Sequence, residues 1–437
     1  MVNYKSLFFT ILLHSVIVVF AQKPSSKSNL LLTEKSPLEY KNKVYLSTIK
    51  TVQVFPEDQE GSLPIITLGT SEKIKVSFDD LRADIRSLYY SLEHCNADGS
   101  PSNLPAMDYA GGFNEARIEE IKLSQNTRIP YTHYSFTFPN EYVKPKLGGN
   151  YLLKVYESGD KSRLILTSKI FVVKPLSHLE IAILPSSRID SKREYQKLNI
   201  TLKTAIEISN PQTQFQLHVL QNQREDSKQI LRLPTKVEAH KLIFDAPTTL
   251  EFKANNEFRT ADIRSIRNAS SSIKEIIRGD TTKVILFADK DLKTNNYIYI
   301  PDDNGRYFIR NLDYESAEIQ SEYVLVRFAL AADKKKEENI YIIGGFNNFE
   351  KDSTNKLTYD ERNTLWTTTL LLKQGLYNYE YNAIKNNKLI TDLFSGSHFE
   401  TENEYIAIAY YRKPGTYWDE IIGIGHQHIN TNKGERE

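Results

Sequence analysis

Cysteine is almost missing. Cys95 is the single thiol in 437 residues, so no disulfide can form within the chain, and a chain without such staples must bury a real core. Lying well inside the chain, Cys95 does not stand at a lipidation cleavage site. Long apolar runs are missing too. The longest, residues 7–20, falls short of the ~20 apolar residues that a spanning helix needs. Lys5 precedes that run, and Val19-Phe20-Ala21 follows with β-branched and small side chains at the positions a signal peptidase reads. This predicts a signal peptide over residues 1–21, cleavage before Gln22, and a mature chain delivered across a membrane. Charge of one sign is missing as well. The full chain carries 56 basic and 55 acidic residues, and Lys5 is the only charge within the first 21 positions. A neutral mature chain is a poor fit for nucleic acid or anionic lipid as the main partner, because both demand a basic surface.

Tyrosine is abundant, with 26 copies, and favours strands and interfaces. Residues 22–42 are polar and aperiodic and read as a flexible leader. From Val44 onward the chain alternates with period 2, which puts one face of each segment in a core and the other in water. Leu88, Tyr90 and Leu92 form one such face; Tyr134, Phe136 and Phe138 a second; Tyr151, Leu153 and Val155 a third. Residues 170–173 are apolar throughout, and Pro175 closes this block. Leu198, Ile200 and Leu202, then Phe215, Leu217 and Val219, continue the pattern, followed by strands near 284–287 and 324–330. Asn304-Gly305 between 298–300 and 307–309 predicts a hairpin, since a type I′ turn needs φ > 0 at both centres, with Pro301 marking an edge. Only residues 114–124 suggest a helix, of one or two turns. Residues 331–338 carry charges without an apolar face and read as a solvated hinge. The expectation is an all-β chain of tandem immunoglobulin-like sandwiches, divided as 43–175, 176–332 and 338–425, with a polar tail from 426.

The third block contains a strand that ends in a glycine corner, Ile340-Tyr341-Ile342-Ile343-Gly344-Gly345-Phe346-Asn347-Asn348-Phe349. Leu365-Trp366-Thr367 and Gly375-Leu376-Tyr377-Asn378-Tyr379-Glu380-Tyr381 follow. This resembles the early-set immunoglobulin-like sandwich of glycogen-binding modules, which raises a second reading, an exported glycan-binding protein. Phe349 stands where those modules carry tryptophan, Trp366 falls at a core position, Trp418 lies outside the pattern, and Tyr377, Tyr379 and Tyr381 share one strand face that at period 2 is core.

Candidate chemistry is thin. His426 and His428 fall on one face of an extended strand and could pinch a metal, yet no carboxylate or thiol lies close in sequence to complete a ligand set. His94 and Cys95 are adjacent, so on a strand they point to opposite faces and do not form a nucleophile pair. Asp302-Asp303-Asn304-Gly305 and Asp289-Lys290-Asp291 lack calcium-loop spacing and are read as turns. Asn199 and Asn268 sit in glycosylation sequons. Phosphate-loop, nucleophile-elbow and zincin motifs are absent from the sequence. The sequence therefore predicts no catalytic, cofactor-binding or metal-binding residues, although a hydrolase with two carboxylates brought together only in space stays compatible with it.

Five stretches together carry a larger resemblance: Leu88-Tyr89-Tyr90-Ser91-Leu92-Glu93-His94-Cys95-Asn96-Ala97-Asp98, Tyr131-Thr132-His133-Tyr134-Ser135-Phe136-Thr137-Phe138-Pro139-Asn140, Asn256-Glu257-Phe258-Arg259, Leu371-Leu372-Lys373-Gln374-Gly375-Leu376-Tyr377-Asn378-Tyr379, and Phe399-Glu400-Thr401-Glu402-Asn403-Glu404-Tyr405. In order and spacing they are similar to the plug proteins of the type IX secretion system of Bacteroidota. Gly99 and Ala254-Asn255 depart from the family pattern in their local loops. The resemblance implies a periplasmic, non-catalytic protein without cofactor. Its implied partner is the outer-membrane β-barrel translocon, whose pore it closes when no substrate carrier is bound.

Overall fold

The computed structural model describes residues 32–247, 249–334 and 339–429. The expected signal peptide at 1–21, residues 22–31 of the leader, the end of the charged connector and the tail beyond 429 lie outside the described residues. Among the described residues the chain is almost entirely β, with three α-helices of only four residues each, Ala106–Tyr109, Pro211–Gln214 and Ala317–Gln320. No helix among them is long and apolar enough to cross a membrane.

Alternation builds the first sandwich as expected. Strands Ile49–Pro56, Ile74–Asp80, Thr132–Phe138 and Glu120–Leu123 form one antiparallel sheet. Strands Leu88–Cys95, Gly149–Glu157 and Leu164–Val173 pair antiparallel in the facing sheet. Ile74, Val76, Phe78, Leu88, Tyr90, Tyr134, Phe138, Leu153 and Val155 fill the space between them, nearly all fully buried. Two of the faces read from the sequence meet ring to ring, Tyr90 stacking on Phe136 at 4.0 Å between centroids, and Tyr134 also stacks on Phe78 at 5.3 Å. Offset stacks of this kind add to the stabilisation from burial alone.

Residues 114–124 do not form the expected helix. They give strands Ala116–Arg117 and Glu120–Leu123 instead. Ile118 is fully buried and Ile121 packs against the same core from an extended chain, so the 3–4 spacing was a coincidence that edge pairing to Thr132–Phe138 overrode. The Asn304-Gly305 turn has φ of 53° and 84°, the positive values its sequence demands. Only one side of it is a strand, Tyr307–Ile309, and that strand pairs with Gly375–Lys385. Residues 298–300 stay unpaired and exposed, because the Asp302 carboxylate takes the Asn304 amide at 2.6 Å and the Phe258 amide, and these bonds replace a ladder.

Beyond 176, the apolar cores group the strands differently from the expected boundaries. Strands Tyr323–Ala331 and Asn339–Ile343 lie on either side of the charged connector yet share one core with Trp366, Tyr377, Tyr379 and Tyr381. That core reaches from Ala261 to Phe394. Of the strands assigned from sequence to the last sandwich, Glu404–Tyr411 instead pairs with Phe215–Gln221, Glu420–His428 pairs with Glu404–Tyr411, and both share a core with Ser177–Pro185 and Tyr195–Thr204. The third core is thus carried on a chain segment that leaves the second unit after 254 and returns to it at 404. The charged stretch therefore joins two strands of one core rather than two separate units. Residues 426–428 are likewise strand rather than frayed tail. Gly423 and Gly425 let that strand lie against Ser177–Pro185: a Cβ at Gly423 would sit 2.3 Å from Ser177 Oγ, and one at Gly425 2.7 Å from Leu179 Cβ.

One sheet joins the first two units. Its order runs Gln229–Leu231, Phe215–Gln221, Glu404–Tyr411, Glu420–His428, Leu164–Val173, Gly149–Glu157, Leu88–Cys95, Ala116–Arg117. The crossing point is the parallel contact of Val173 with Ile421. Phe171, Val173, Leu220, Ile406, Ile408 and Tyr410 form an apolar cluster over that seam.

Candidate functional site

The motif stretches that carried the family resemblance converge on the seams between the three units. At the seam of the first and third units, Asp79 ends strand Ile74–Asp80 fully buried. Lys373 Nζ reaches its Oδ2 at 2.6 Å, Tyr323 OH donates to the same oxygen at 2.7 Å, and His133 Nδ1 lies 2.7 Å from Oδ1. Lys373 also donates to the Glu318 carbonyl at 2.6 Å and stands 4.2 Å from the Tyr131 ring centroid. Burial by itself would raise the Asp79 pKa; Lys373 and His133 outweigh it and hold the carboxyl below its ordinary value. Tyr131 OH caps the Glu318 and Ser321 carbonyls at 3.1 and 3.0 Å. The backbone amide of Ile129 donates to Glu322 at 3.1 Å, and Tyr307 OH donates to the Val52 carbonyl at 2.7 Å. A buried ion pair is weak evidence of net stabilisation, but breaking one partner is costly; such a pair specifies one docking register and opposes others.

The second and third units meet through Arg224, which is 4% exposed. Its Nη1 lies 2.5 Å from Glu380 Oε1 and its Nε 2.9 Å from Asp226 Oδ1. Its guanidinium covers the Phe349 ring at 4.6 Å. Against the upward push of burial, Arg224 and Lys351 hold the Asp226 pKa down at about 2. Beside this pair, Glu404 bonds to Arg306 across the same seam, while Asn403 Nδ2 donates to Ala254 O and Gln196 Oε1 at 2.8 and 3.0 Å. At the seam of the first and second units, Ala97 N donates to Asp419 Oδ2 at 3.0 Å and Tyr410 OH to Asn150 Oδ1 at 2.9 Å. A cleft of about 190 Å³ opens where all three units meet, between Val52, Phe171, Gln223, Arg306 and Phe349. Glu225 is the one carboxylate among its lining residues, and it is ion-paired with Lys169 and Lys228.

The candidate residues read from the sequence fall into place individually. His94 is buried, with Nε2 3.1 Å from the Gly148 carbonyl, and burial lowers its pKa. Cys95 points away from it, and burial pushes the thiol up to about 12. A thiolate is thus unavailable at neutral pH. Cys95→Ser is expected to cost only about 1 kcal/mol in urea unfolding, and the native thiol should resist a disulfide reagent that labels the unfolded chain. Asp289 accepts from Tyr379 OH at 2.9 Å and Tyr381 OH at 2.7 Å and pairs with Arg259 at 3.2 Å. Asp302, whose pKa burial raises to about 7, organises the 302–305 turn. Tyr377, Tyr379, Tyr381 and Trp366 are core residues, so no aromatic shelf is made from them. Asn199 lies within strand Tyr195–Thr204, and Asn268 is exposed.

Two features escaped the sequence reading. The strand pair Glu404–Tyr411 and Glu420–His428 places Glu404 opposite His428, so a carboxylate 22 residues from His426 joins both imidazoles. The second is an exposed apolar lip on the first unit. Phe113 is 84% exposed, Met107 76% and Tyr142 46%. Their loops are neighbours: Ala110–Gly111 pairs with Lys144–Pro145, and Asn114 N donates to Tyr142 O at 2.9 Å.

No curated protein matches the chain. A crystal structure of a hypothetical protein from Parabacteroides merdae ATCC 43184 is similar over 90% of this chain and 100% of its own, at 29% identity and a TM-score of 0.85. A partial N-terminal region of an enterococcal surface protein is a far more distant match, at 7% identity and a TM-score of 0.21 over 91% of this chain and 97% of its own. Residues 49–174 match the family described as the type 9 secretion system plug protein 1st domain. That span coincides with the first sandwich and contains Asp79, His133 and the 107–113 lip, so it is the first sandwich of this chain that is similar to the first domain of type 9 secretion system plug proteins.

Proposed function

We propose that this chain is a periplasmic, non-catalytic plug that docks on the periplasmic mouth of the type IX outer-membrane translocon barrel and closes its pore when no substrate carrier is bound. The match of the first sandwich to the plug family carries this reading. The geometry supports it in two ways. A body that blocks a wide pore must not bend at its joints, and here each seam is held by buried polar groups, with an apolar cluster as well at the seam of the first and second units. A plug also needs a surface that meets a wall, and the Phe113, Met107 and Tyr142 lip offers apolar area of the kind that marks interaction sites. The lip is small, which suits a contact that a carrier must displace.

A deletion strain tests the reading. Loss of the chain is expected to leave the outer membrane leaky to large antibiotics while some type IX export continues, since barrel and carrier are untouched. Restoring the gene with Phe113→Asp should restore sealing less well than the wild-type gene. A deletion strain that stays impermeable would count against the plug role.

A further inference from the structure

Glu404, His426 and His428 offer one ligand atom each, all within 4.8 Å of one another. Two imidazoles two residues apart on strand Glu420–His428 share its face, and the antiparallel register brings Glu404 across from His428. Glu404 is buried, His426 is exposed and His428 half-buried. The carboxylate is thus a fixed anchor while the imidazoles are free to turn. A tetrahedral zinc ion with bonds of about 2.0–2.1 Å separates its ligand atoms by roughly 3.3 Å, so small rotations of the two rings close the cluster.

The carboxylate is already oriented for such a role. Its Oε2 is taken by Arg306 and by Gln223 Nε2, the latter at 3.2 Å. Its Oε1 faces His426 Nε2. This leaves Oε1 as a single, directed donor, with the outer contacts on Oε2 that metal-bound carboxylates characteristically carry. Arg306 places a positive charge nearby and weakens the site for any cation, so an affinity below that of closed four-ligand sites is expected. Donors of two imidazoles and one carboxylate suit borderline divalent ions such as zinc, nickel or cobalt rather than calcium or magnesium.

We propose that Glu404, His426 and His428 form a three-ligand site for a divalent transition-metal ion, open to solvent at the remaining position. The ion clips the last strand of the described chain to strand Glu404–Tyr411 at the point where Glu404 also holds Arg306 of the third unit. The site is independent of the plug reading and is absent from the motif logic of the sequence, since its acid arrives only through strand pairing.

Zinc chloride titrated calorimetrically into the untagged, metal-stripped mature chain is expected to show one ion bound per chain. His428→Ala should weaken binding at least tenfold, and His426→Ala with His428→Ala should abolish it. His178→Ala, an exposed histidine on strand Ser177–Pro185, should leave it unchanged. Cobalt in place of zinc should give visible absorption bands of low-coordinate cobalt in the wild type and lose them in the double variant. Both histidines are at the surface, so their removal leaves the fold to be verified by an unchanged circular dichroism spectrum; Glu404→Gln is avoided because that side chain also holds Arg306. Absence of zinc binding by the wild-type chain, or equal binding by the double variant, overturns the proposal.

Discussion

Lys373→Met is expected to cost about 3–5 kcal/mol and to loosen the first unit from the third. Lys373 and Asp79 are each 1% exposed at the side chain and lie 294 residues apart. Removing the ammonium leaves the Asp79 carboxylate buried, with only His133 and Tyr323 to balance it. Limited proteolysis should then cut near the seam at protease concentrations that spare the wild type. The double variant Asp79→Asn with Lys373→Met should recover much of the loss, because neither charge is then stranded. Acid acts on the same pair. The folded pKa of Asp79 is depressed, so its contribution is present above the unfolded value of about 3.9. It is lost as pH falls below that toward the folded value. A loss under about 1 kcal/mol for Lys373→Met in urea unfolding would show that the joint is not held this way.

Arg224→Ala should be of similar size, about 3–5 kcal/mol, and should act at the other seam. The guanidinium serves Glu380 and Asp226 together and stacks on Phe349. Lys351 still reaches Asp226 at 2.7 Å in the variant, so the stranded charge is Glu380. Arg224→Lys should recover only part, because an ammonium cannot serve two carboxylates in a planar fork or lie flat on the ring. Adding Glu380→Gln to Arg224→Ala should restore stability beyond either change alone. Strictly additive effects of the two substitutions, measured by denaturant unfolding, would contradict the pairing.

The strands were legible wherever one face is buried and the other wet. Leu198, Ile200 and Leu202 state their strand and its inward face without further information. What local pattern could not state is which strands share a core. Strand Glu404–Tyr411 reads the same whether it pairs with the preceding block or with Phe215–Gln221, 184 residues or more upstream along its register, so the boundary near 335 fell between two strands that share one core. The resemblance stretches were informative for a physical reason visible only afterwards. Asp79's partners His133 and Lys373, together with Tyr131 and Asn403, are polar groups buried at seams, where few substitutions satisfy the same bonds. The metal-capable cluster was half legible: His426 and His428 announced one face, while Glu404 needed the register.

The central claim is that this chain binds the translocon by shape and apolar contact rather than by charge. Purified mature chain, immobilised and exposed to detergent extract of outer membrane, tests it most directly. The account predicts that the translocon barrel is retained. Retention should fall no more than about threefold as salt rises from about 0.1 to 0.5 M, because a contact made by apolar surface neutralises few charges. Phe113→Asp should weaken it at every salt concentration. Failure to retain the barrel at any salt concentration, with the immobilised chain shown to be folded, would contradict the account.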